Sequence, residues 1–228
     1  MQSQPKIEEF VEWDTQNWKK ALEFWSSSVG GTLEDKKVLE IGCNNGGISL
    51  WAANQGATVI CSDIVEPTQK AKDLHAKYGL SSRISYEVID ATNIPYENYF
   101  DLVIFKSVLG GIGRVGEEQK KVLVVENIHK CLKSSGMVLF AENLKGSLMH
   151  QVFRKLFVGW GSSWGYPLVR EISNLFSGFS SCQISTYGFL ACFGKSEAMR
   201  RFLSFADKFV SPIVPANSRY IVFGVAVK

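Results

Sequence analysis

The sequence of 228 residues predicts an α/β fold, in which a parallel sheet is covered by helices on both faces. Three observations predict it. Short apolar runs alternate with segments of helical period from residue 36 to about 141. The composition, with 46% hydrophobic and 21% charged residues, is that of a folded protein with a sizeable core. From about residue 145 the alternation stops, and a helical segment rich in aromatic residues predicts a small cap over the sheet.

The predicted elements follow one another along the chain. Residues 7–28 carry apolar and aromatic residues at helical spacing, which predicts one or two N-terminal helices. Short apolar runs predict strands at 36–41, 57–62, 83–88, 101–105 and 137–141. Helices are predicted between them at 46–55, 66–78 and 115–132. After a cap helix at 147–158 and a short helix ending near 176, two strands near 182–189 and 219–227 flank a helix at 197–210.

We interpret the chain as one domain over 1–228, with 1–30 as an N-terminal helical lid and 145–178 as a cap insertion. The cap contains four aromatic residues, Phe153, Phe157, Trp160 and Trp164. They either line an apolar pocket or form the underside of the cap. A helix at a membrane surface is a third interpretation, because Arg154 and Lys155 lie beside the apolar residues.

Charge and cysteine usage limit the class of protein. The net charge is +3 without a dense basic run, so there is no strong signal for nucleic-acid binding. The cysteines show no metal-ligand spacing and predict reduced thiols: Cys43, Cys61, Cys131, Cys182 and Cys192. No stretch of about eighteen apolar residues predicts a transmembrane helix, and the polar N-terminus does not resemble a signal peptide. We therefore expect a cytoplasmic protein.

The stretch VLEIGCNNGG (38–47) predicts a ligand site at the end of the first strand. Gly42 and Gly46 allow a tight turn and let a ligand approach the backbone, and the next helix presents free N–H groups there. This pattern suits either a dinucleotide or another cofactor that contains adenosine.

Four features favour the second possibility. The dinucleotide fingerprint G-x-G-x-x-G is broken by Asn44, which would crowd a pyrophosphate. Glu40 at the strand tip would repel a pyrophosphate and attract a cationic or amine-bearing ligand. Asp63, at the end of the second strand, can accept two hydrogen bonds from ribose hydroxyls. Asp90, in VIDATNIP, can accept a hydrogen bond from an adenine amino group, with the backbone of Ala91 beside it.

With these residues in place, the chain resembles the class I S-adenosylmethionine-dependent methyltransferases, in particular the small-molecule, type 11-like group. The resemblance spans roughly residues 36–145 and rests on five motifs in order: VLEIGCNNGG, VICSDI, VIDATNIP, FDLVIFKSVLGGIG and CLKSSGMVLFAEN. It implies a Rossmann-like, seven-stranded, mostly parallel sheet whose last strand, RYIVFGVAVK, is antiparallel. It also implies S-adenosylmethionine as cofactor and S-adenosylhomocysteine as product.

The resemblance also implies roles for individual residues. Glu40, Gly42, Cys43, Asn44 and Gly46 are expected near the methionine part of the cofactor. Asp63 is expected on the ribose, Asp90 near the adenine, and Lys106 and Ser107 beside the methyl group. The residues that follow the two acids complete the predicted cofactor-binding set: Ile64, Ala91 and Thr92.

The chain departs from the family pattern at Asn44, where glycine is usual, and at Gly110-Gly111, where many relatives have a histidine or an acid. The second departure leaves His150, just after the fifth strand, as the candidate catalytic base. In the alternative interpretation, His150 is an ordinary histidine of the cap helix. Because Lys106 stands where metal-dependent relatives carry an acidic ligand, no metal is predicted.

The sequence predicts methyl transfer to a small molecule, with a hydroxyl oxygen as the acceptor atom and an apolar or glycosylated acceptor. The sequence around Lys106 lacks the Pro-Pro tetrad of enzymes that methylate amino groups of DNA bases. The alternatives are a non-catalytic cofactor-binding or scaffold protein of the same fold, an RNA or protein methyltransferase, and an NAD-type oxidoreductase.

Overall fold

The computed structural model describes residues 4–159 and 163–228, which are built around a seven-stranded β-sheet. The strands are β1 Lys37–Ile41, β2 Thr58–Asp63, β3 Ile84–Val88, β4 Phe100–Lys106, β5 Leu132–Asn143, β6 Ser181–Tyr187 and β7 Ile221–Val227. Their order across the sheet is β3-β2-β1-β4-β5-β7-β6. Strands β1 to β5 are parallel, and β7 is antiparallel to both of its neighbours, β5 and β6. The predicted fold class is therefore confirmed.

The order of the strands reverses between β1 and β4. The chain passes from β1 outward to β2 and β3, and then crosses back to β4 on the other side of β1. In open parallel sheets a crevice forms beyond the carboxyl ends of the strands at such a switch point. The ends of β1, β2, β4 and β5 at Ile41, Asp63, Lys106 and Asn143 therefore determine where a ligand can bind.

Nine helices are present among the described residues: α1 Ile7–Val11, α2 Thr15–Ser28, α3 Gly47–Asn54, α4 Gln69–Lys77, α5 Leu109–Ile112, α6 Gln119–Cys131, α7 Leu148–Phe157, α8 Val169–Leu175 and α9 Glu197–Ile213. Side-chain caps fix where several of them begin. The Thr68 hydroxyl accepts a hydrogen bond from the Ala71 N–H at 3.2 Å, and the Ser196 hydroxyl accepts one from the Met199 N–H at 3.2 Å. None of these helices is long and apolar enough to cross a membrane.

Two apolar cores lie on the two faces of the sheet. The central strands are buried along almost their whole length, because helices cover both faces. On one face, α2 and α3 pack on the sheet, and Trp18 and Trp25 are fully buried there. On the other face, α6 and α8 pack on the sheet, and Phe176 stacks on Phe140 with ring centroids 4.4 Å apart. Each fully buried side chain of this size contributes roughly 1.5–3 kcal/mol.

The N-terminal segment divides into two parts with different surroundings. Helix α2 is a core helix, since the Trp25 indole N–H donates to the Gly224 carbonyl oxygen at 3.2 Å across the sheet. Helix α1 packs on α3, and a Cβ atom at Gly47 would lie only 2.4 Å from the Phe10 carbonyl oxygen. The side chains next to the switch point therefore come from α1 and the turn that follows it, within the segment predicted as a lid.

The segment predicted as a cap also divides. Helix α8 belongs to the helical layer on the sheet, since Ile172 is fully buried in the second core. Helix α7 lies at the carboxyl edge, and the Ser147 hydroxyl caps its first turn. Trp160, predicted as a cap residue, lies outside the described residues.

Candidate active site

Two connected cavities lie over the strand ends at the switch point. The inner cavity has a volume of about 250 Å³ and is lined by residues that include Glu12, Glu40, Asn44, Lys106 and Asn143. The outer cavity has a volume of about 480 Å³ and is lined by residues that include Asp63, Ile64, Asp90, Ala91 and Thr92. Gly42 and Ser107 line both cavities, so the two form one elongated cleft. The volume of the outer cavity lies within the usual range of small-molecule sites, and the inner cavity alone is slightly smaller than that range.

The turn after β1 forms the floor of this cleft. Gly42 has a φ of +69°, and a Cβ atom there would lie 2.7 Å from a methyl group of Val108. Asn44 has a φ of +48°, a left-handed conformation that asparagine tolerates. The Cys43 N–H donates to the Ser62 carbonyl oxygen at 2.9 Å, which ties the turn to β2. Gly46 stands just before α3 and lines neither cavity, whereas Gly47 lines the inner one.

Glu40 is a buried carboxylate at the inner cavity. Its Oε2 accepts hydrogen bonds from the N–H of Ser49, at 2.8 Å, and from the Ser49 hydroxyl. Burial raises the pKa of Glu40 to about 8, although the hydrogen bonds from Ser49 and the charge of Lys106 oppose the shift. A cation that binds beside Glu40 would favour the carboxylate form.

Asp63 and Asp90 both face the outer cavity, as the sequence predicted. Asp63 Oδ2 accepts a hydrogen bond from the Asn44 N–H at 3.1 Å, and Oδ1 accepts one from the Ile64 N–H at 2.8 Å. Asp90 Oδ1 accepts from the N–H and the hydroxyl of Thr92 at 2.8 and 2.7 Å, which is an Asx-turn. Carboxylate oxygens have further lone pairs, so both acids keep acceptor capacity for a ligand.

Lys106 and Ser107 end β4 where the two cavities meet. The Lys106 ammonium lies 4.8 Å from the ring centroid of Trp18. Burial lowers the pKa of Lys106, and the carboxylates of Glu12 and Glu40 oppose the shift. Ser107 has a φ of +59°, and its hydroxyl accepts a hydrogen bond from the Asn143 amide at 3.0 Å.

Three site residues were not predicted from the sequence. Glu12 and Trp13 come from the turn after α1, and Glu12 accepts hydrogen bonds from the amides of Asn44 and Asn45 at 3.1 and 2.5 Å. Asn143 at the end of β5 is the last residue of the motif CLKSSGMVLFAEN, and the sequence predicts no role for it. Its position at a strand tip is the signal that could have identified it. Nothing in the local sequence identifies Glu12, because its place depends on how α1 packs.

Glu142 is a second buried acid at the end of β5. Its Oε1 accepts hydrogen bonds from the N–H groups of Val108 and Leu109, at 2.5 and 2.7 Å. Burial raises the pKa of Glu142 to about 7, and these backbone hydrogen bonds oppose the shift. This carboxylate holds the turn after β4 in position, and Val108 of that turn lines the outer cavity.

The structure does not place His150 at the cleft. His150 is fully buried in α7, and its Nδ1 accepts a hydrogen bond from the Ser147 N–H at 3.1 Å. Its Nε2 donates to the Phe189 carbonyl oxygen at 2.8 Å, and its ring stacks on Phe193. Burial lowers the pKa of His150, so the ring is neutral. With both nitrogens engaged, His150 has the geometry of a structural histidine, and we do not retain it as the base.

A third cavity, the cap pocket, lies between α7, the start of α9 and the cleft. It has a volume of about 590 Å³ and shares Trp13 and Asn143 with the inner cavity. Its apolar walls include Phe153 and Phe157, for which the sequence left open a pocket lining or the underside of the cap. Its charged residues are Arg154, Lys195 and Arg200. Trp164 lines the inner cavity and not the cap pocket.

The acid and thiol groups at the cleft do not form a metal site. Within residues 4–159 and 163–228, no three His, Cys, Asp or Glu side chains are grouped so that they could hold a metal ion. The titratable residues around the inner cavity are Glu12, Glu40, Cys43 and Lys106, and the two acids make it suitable for a cationic ligand.

The fold and the cleft define a class of protein, and comparison with known proteins agrees. Residues 39–140 match the family model of a methyltransferase domain. This part of the chain is therefore a methyltransferase domain, and its fold is that of the class I S-adenosylmethionine-dependent methyltransferases. The resemblance predicted from the five sequence motifs is thus confirmed for residues 39–140.

Individual relatives are distant and differ in the atom they methylate. The chain is 33% identical over 124 residues to an uncharacterized protein of Haemophilus influenzae. This alignment covers 53% of this chain and 47% of that protein. It is 34% identical over 73 residues to a ubiquinone biosynthesis O-methyltransferase of Leptothrix cholodnii, covering 32% and 31%. It is 28% identical over 157 residues to ajmaline N-methyltransferase of Rauvolfia serpentina, covering 61% and 50%. The chain thus spans half or less of these curated relatives.

Solved structures show the same fold. Phosphoethanolamine N-methyltransferase 2 of Haemonchus contortus, in complex with phosphomonomethylethanolamine and S-adenosylhomocysteine, superposes with a TM-score of 0.64 at 19% identity. That alignment covers 92% of this chain and 53% of the other. The N-methyltransferase NodS of Bradyrhizobium japonicum gives a TM-score of 0.60 at 16% identity, covering 92% and 95%.

Proposed function

We propose that the protein binds S-adenosylmethionine in the cleft and transfers its methyl group to a small-molecule acceptor in the cap pocket. The observation that carries this proposal is the arrangement of the three cavities. The outer and inner cavities form one elongated cleft with acids at its strand ends, and the cap pocket joins the inner cavity at Trp13 and Asn143. The methyltransferase domain at 39–140 supports it.

The residues along the cleft fit the parts of the cofactor. The acids of the inner cavity, Glu12 and Glu40, suit the ammonium and sulfonium charges of the methionine part. Asp63 suits the two ribose hydroxyls, because a carboxylate can accept both hydrogen bonds. Asp90 and the backbone of Ala91 suit the adenine edge. When bound, S-adenosylmethionine supplies an electrophilic methyl carbon.

The protein contributes mainly positioning. The hydrogen bond from Asn143 to Ser107, at 3.0 Å, fixes the place where the inner cavity meets the acceptor side. Trp13 lines both the inner cavity and the cap pocket, so its indole adds apolar surface at the same place. Holding a nucleophile in line within near-attack distance can account for much of the rate.

We propose a hydroxyl oxygen as the acceptor atom. Two groups at the inner cavity can take the hydroxyl proton, namely Glu12 and Lys106, and burial lowers the pKa of Lys106. The relatives include O- and N-methyltransferases, so the main alternative to a hydroxyl oxygen is an amine nitrogen as the acceptor atom.

A transfer assay with matched acceptors tests this function. S-adenosylhomocysteine formation is measured with a series of 4-alkylphenols and with the 4-alkylanilines of the same chain lengths. The proposal predicts product with the phenols at rates that exceed those with the anilines. Faster transfer to the anilines would reassign the acceptor atom to nitrogen. A pure protein that binds S-adenosylhomocysteine but methylates only RNA or protein would contradict the small-molecule proposal.

A further inference from the structure

The cap pocket carries unusual charge for a site with apolar walls. We infer that the acceptor has an apolar body and an anionic oxygen group, a carboxylate or a phosphate, which binds between Arg154 and Arg200. This inference rests on the proposed function, since it names the class of molecule that the cap pocket takes.

The first support is charge. Three cationic side chains line the cap pocket, and among its described lining residues there is no carboxylate. Arg200 has a partial partner, because its guanidinium lies 3.4 Å from Glu197. Glu197 also accepts hydrogen bonds from the backbone N–H groups of Asp14 and Thr15, at 3.0 and 2.9 Å. The pocket therefore keeps an excess of positive charge.

The second support is the burial of Arg154. Only 5% of this residue is exposed, and its Nη1 donates to the carbonyl oxygens of Leu144 and Lys145 at 2.6 and 3.2 Å. Its guanidinium lies 4.1 Å from the ring centroid of Tyr166. No carboxylate within the described ranges forms an ion pair with it. A buried cation without a counter-charge is costly, and an anionic ligand would offset that cost.

The third support is a pair of unused polar atoms. The Tyr166 hydroxyl and the Arg200 Nε are both buried, and neither has a hydrogen-bond partner within residues 4–159 and 163–228. Both residues line the cap pocket. Buried donors almost always have partners, so two of them at one pocket indicate a ligand that accepts hydrogen bonds there. Carboxylate and phosphate oxygens are acceptors that match guanidinium groups.

The rest of the pocket determines the body of the acceptor. Trp13, Phe153 and Phe157 supply aromatic walls, and Val158 adds an aliphatic one. The inferred anion binds on the side of Arg154, and Asn143 lies on the side that the cap pocket shares with the inner cavity. An acceptor with an aromatic or aliphatic body can therefore keep its anion in the cap pocket while its nucleophile reaches the cleft. Cationic amines are disfavoured by the same charges.

Binding of charge-matched probes tests the inference. Calorimetry with saturating S-adenosylhomocysteine compares 3-(4-hydroxyphenyl)propanoate with its amide, which has the same body and hydroxyl but no charge. The phosphonate of the same body separates phosphate from carboxylate preference. We expect either anion to bind at least about tenfold more tightly than the amide, since charge-assisted hydrogen bonds are involved. Tyr166→Phe and Arg200→Gln should each reduce that preference severalfold.

The matched control is Lys155→Gln, an exposed lysine of α7 that does not line the cap pocket. It should leave the preference unchanged. Equal or tighter binding of the amide, or binding of no probe while S-adenosylhomocysteine binds, would overturn the inference and leave the proposed function intact. Failure of S-adenosylhomocysteine itself to bind would instead contradict the proposed function.

A separate observation concerns the outer surfaces of α7 and α9. Each helix exposes a stripe of large apolar side chains: Leu148, Met149, Val152, Leu156 and Phe157 on α7, and Met199, Phe202, Phe205, Phe209 and Ile213 on α9. Phe202 is 74% exposed and Ile213 is 82% exposed. The Lys195 ammonium, two residues before α9, lies 5.2 Å from the ring centroid of Phe157 on α7. Apolar surface of this extent marks an interaction site.

The charges of α7 and α9 indicate what kind of surface binds to these stripes. Helix α7 contains no acidic residue. The acids of α9 face inward, because Asp207 is fully buried and Glu197 caps the N-terminal segment. Exposed cations flank the stripes, namely Lys155, Lys195 and Lys208. Glu8 of α1 is an exposed acid beside α9, and it is paired with Arg201 at 3.3 Å. Apolar stripes that are bordered by cations, with this acid paired, match a lipid surface with anionic headgroups.

We propose that α7 and α9 dock on an anionic lipid surface. The cap pocket is lined by Phe153 and Phe157 of α7 and by Arg200 of α9, so the proposed lipid-binding helices also contribute to the acceptor site. The test is co-sedimentation with vesicles of phosphatidylcholine alone or mixed with phosphatidylglycerol. The protein should sediment with the anionic vesicles and lose that binding at high salt. Leu156→Glu and Phe205→Glu should each weaken it by at least about tenfold.

The control is Val122→Glu, which adds the same charge at a half-exposed valine of α6 in the opposite helical layer. It should bind vesicles like the unchanged protein. Lack of binding to either vesicle would overturn the proposal. So would a stable dimer in light scattering that Leu156→Glu or Phe205→Glu dissolves, because the stripes would then be covered by a second copy.

Discussion

Glu40 links the protonation state of the cleft to cofactor binding. Burial raises the pKa of this carboxyl to about 8, so at neutral pH the empty cleft holds it largely protonated. A ligand with a positive charge binds best to the carboxylate. Binding must therefore release a proton below about pH 8, and affinity must rise as the pH rises toward that value.

The corresponding prediction is a pH profile of S-adenosylhomocysteine affinity. Affinity should increase by up to about tenfold per pH unit between about pH 6 and 8 and then level off. Glu40→Gln should bind more weakly and lose this slope, because an amide does not titrate. Calorimetry in buffers of different ionisation enthalpy measures the released proton directly. An identical slope in Glu40→Gln would assign the proton to another group.

For His150 we predict an effect of substitution on stability and almost none on catalysis. Because both ring nitrogens are engaged within the fold, His150→Gln should lower the free energy of unfolding by about 1–3 kcal/mol. The turnover number of the folded protein should change by less than about twofold. Chemical denaturation and the transfer assay measure the two quantities separately. A large loss of turnover with unchanged stability would restore His150 as a catalytic base.

At the scale of elements, a buried polar cluster joins the N-terminal segment to α9 and β7. The Asn17 amide donates to Asp207 at 2.9 Å and to the Tyr220 hydroxyl at 2.8 Å, and Tyr220 donates to Asp14. Burial raises the pKa of Asp14 to about 7, although the hydrogen bond from Tyr220 opposes the shift. This cluster fixes the turn that carries Glu12 into the cleft.

Tyr220→Phe tests the cluster. Removing the hydroxyl leaves the Asp14 carboxylate and the Asn17 amide short of a partner in a buried position. The free energy of unfolding should fall by about 1–3 kcal/mol, as measured by chemical denaturation. Tyr99→Phe, at an exposed tyrosine, is the control and should change it by less than about 0.5 kcal/mol. Equal effects of the two substitutions would mean that the cluster does not stabilise the fold.

The same cluster predicts a pH dependence of stability. The folded-state pKa of Asp14 lies above its ordinary value of 3.8, at about 7, so the folded protein binds the proton more tightly than the unfolded chain. Its contribution to stability is therefore full below about pH 4 and is lost as the pH rises to about 7. Denaturation of Asp14→Asn should show a smaller decline over this interval. A decline as large as that of the unchanged protein would contradict this assignment.

The elements themselves were largely predictable from the sequence. The first strand was predicted at 36–41 and spans Lys37–Ile41, and the last was predicted at 219–227 and spans Ile221–Val227. Apolar runs in a parallel sheet are local signals, which explains this agreement. The fifth strand begins at Leu132, five residues before the prediction, because pairing of Leu132 with Phe100 is a tertiary contact. The short α5 was also missed, since its start depends on Glu142.

At the scale of the whole molecule, the site was only partly predictable because part of it depends on packing between distant segments. Acids at strand tips come together through the sheet topology alone, so Asp63 and Asp90 could be placed from their positions in the chain. Glu12 and the cap pocket depend on packing between segments far apart in sequence, which no local pattern encodes. The apolar stripe of α7 was visible in the sequence, but its exposure was not.

We propose above all that the cleft binds S-adenosylmethionine and that Asp63 contributes to this binding. Its most direct test is calorimetric titration of S-adenosylhomocysteine, with NAD as the comparison ligand, into the unchanged protein, Asp63→Ala and Asp73→Ala. Asp73 is an exposed acid of α4 that lines neither cavity. We predict about micromolar binding to the unchanged protein and to Asp73→Ala. Loss of the ribose contacts should weaken binding to Asp63→Ala by at least about tenfold.

We predict no heat of binding with NAD, because Asn44 and Glu40 oppose a pyrophosphate in the turn after β1. Two results would contradict the account. Absence of S-adenosylhomocysteine binding to the unchanged protein would favour a scaffold that kept the fold without the cofactor. Tighter binding of NAD than of S-adenosylhomocysteine would favour an oxidoreductase.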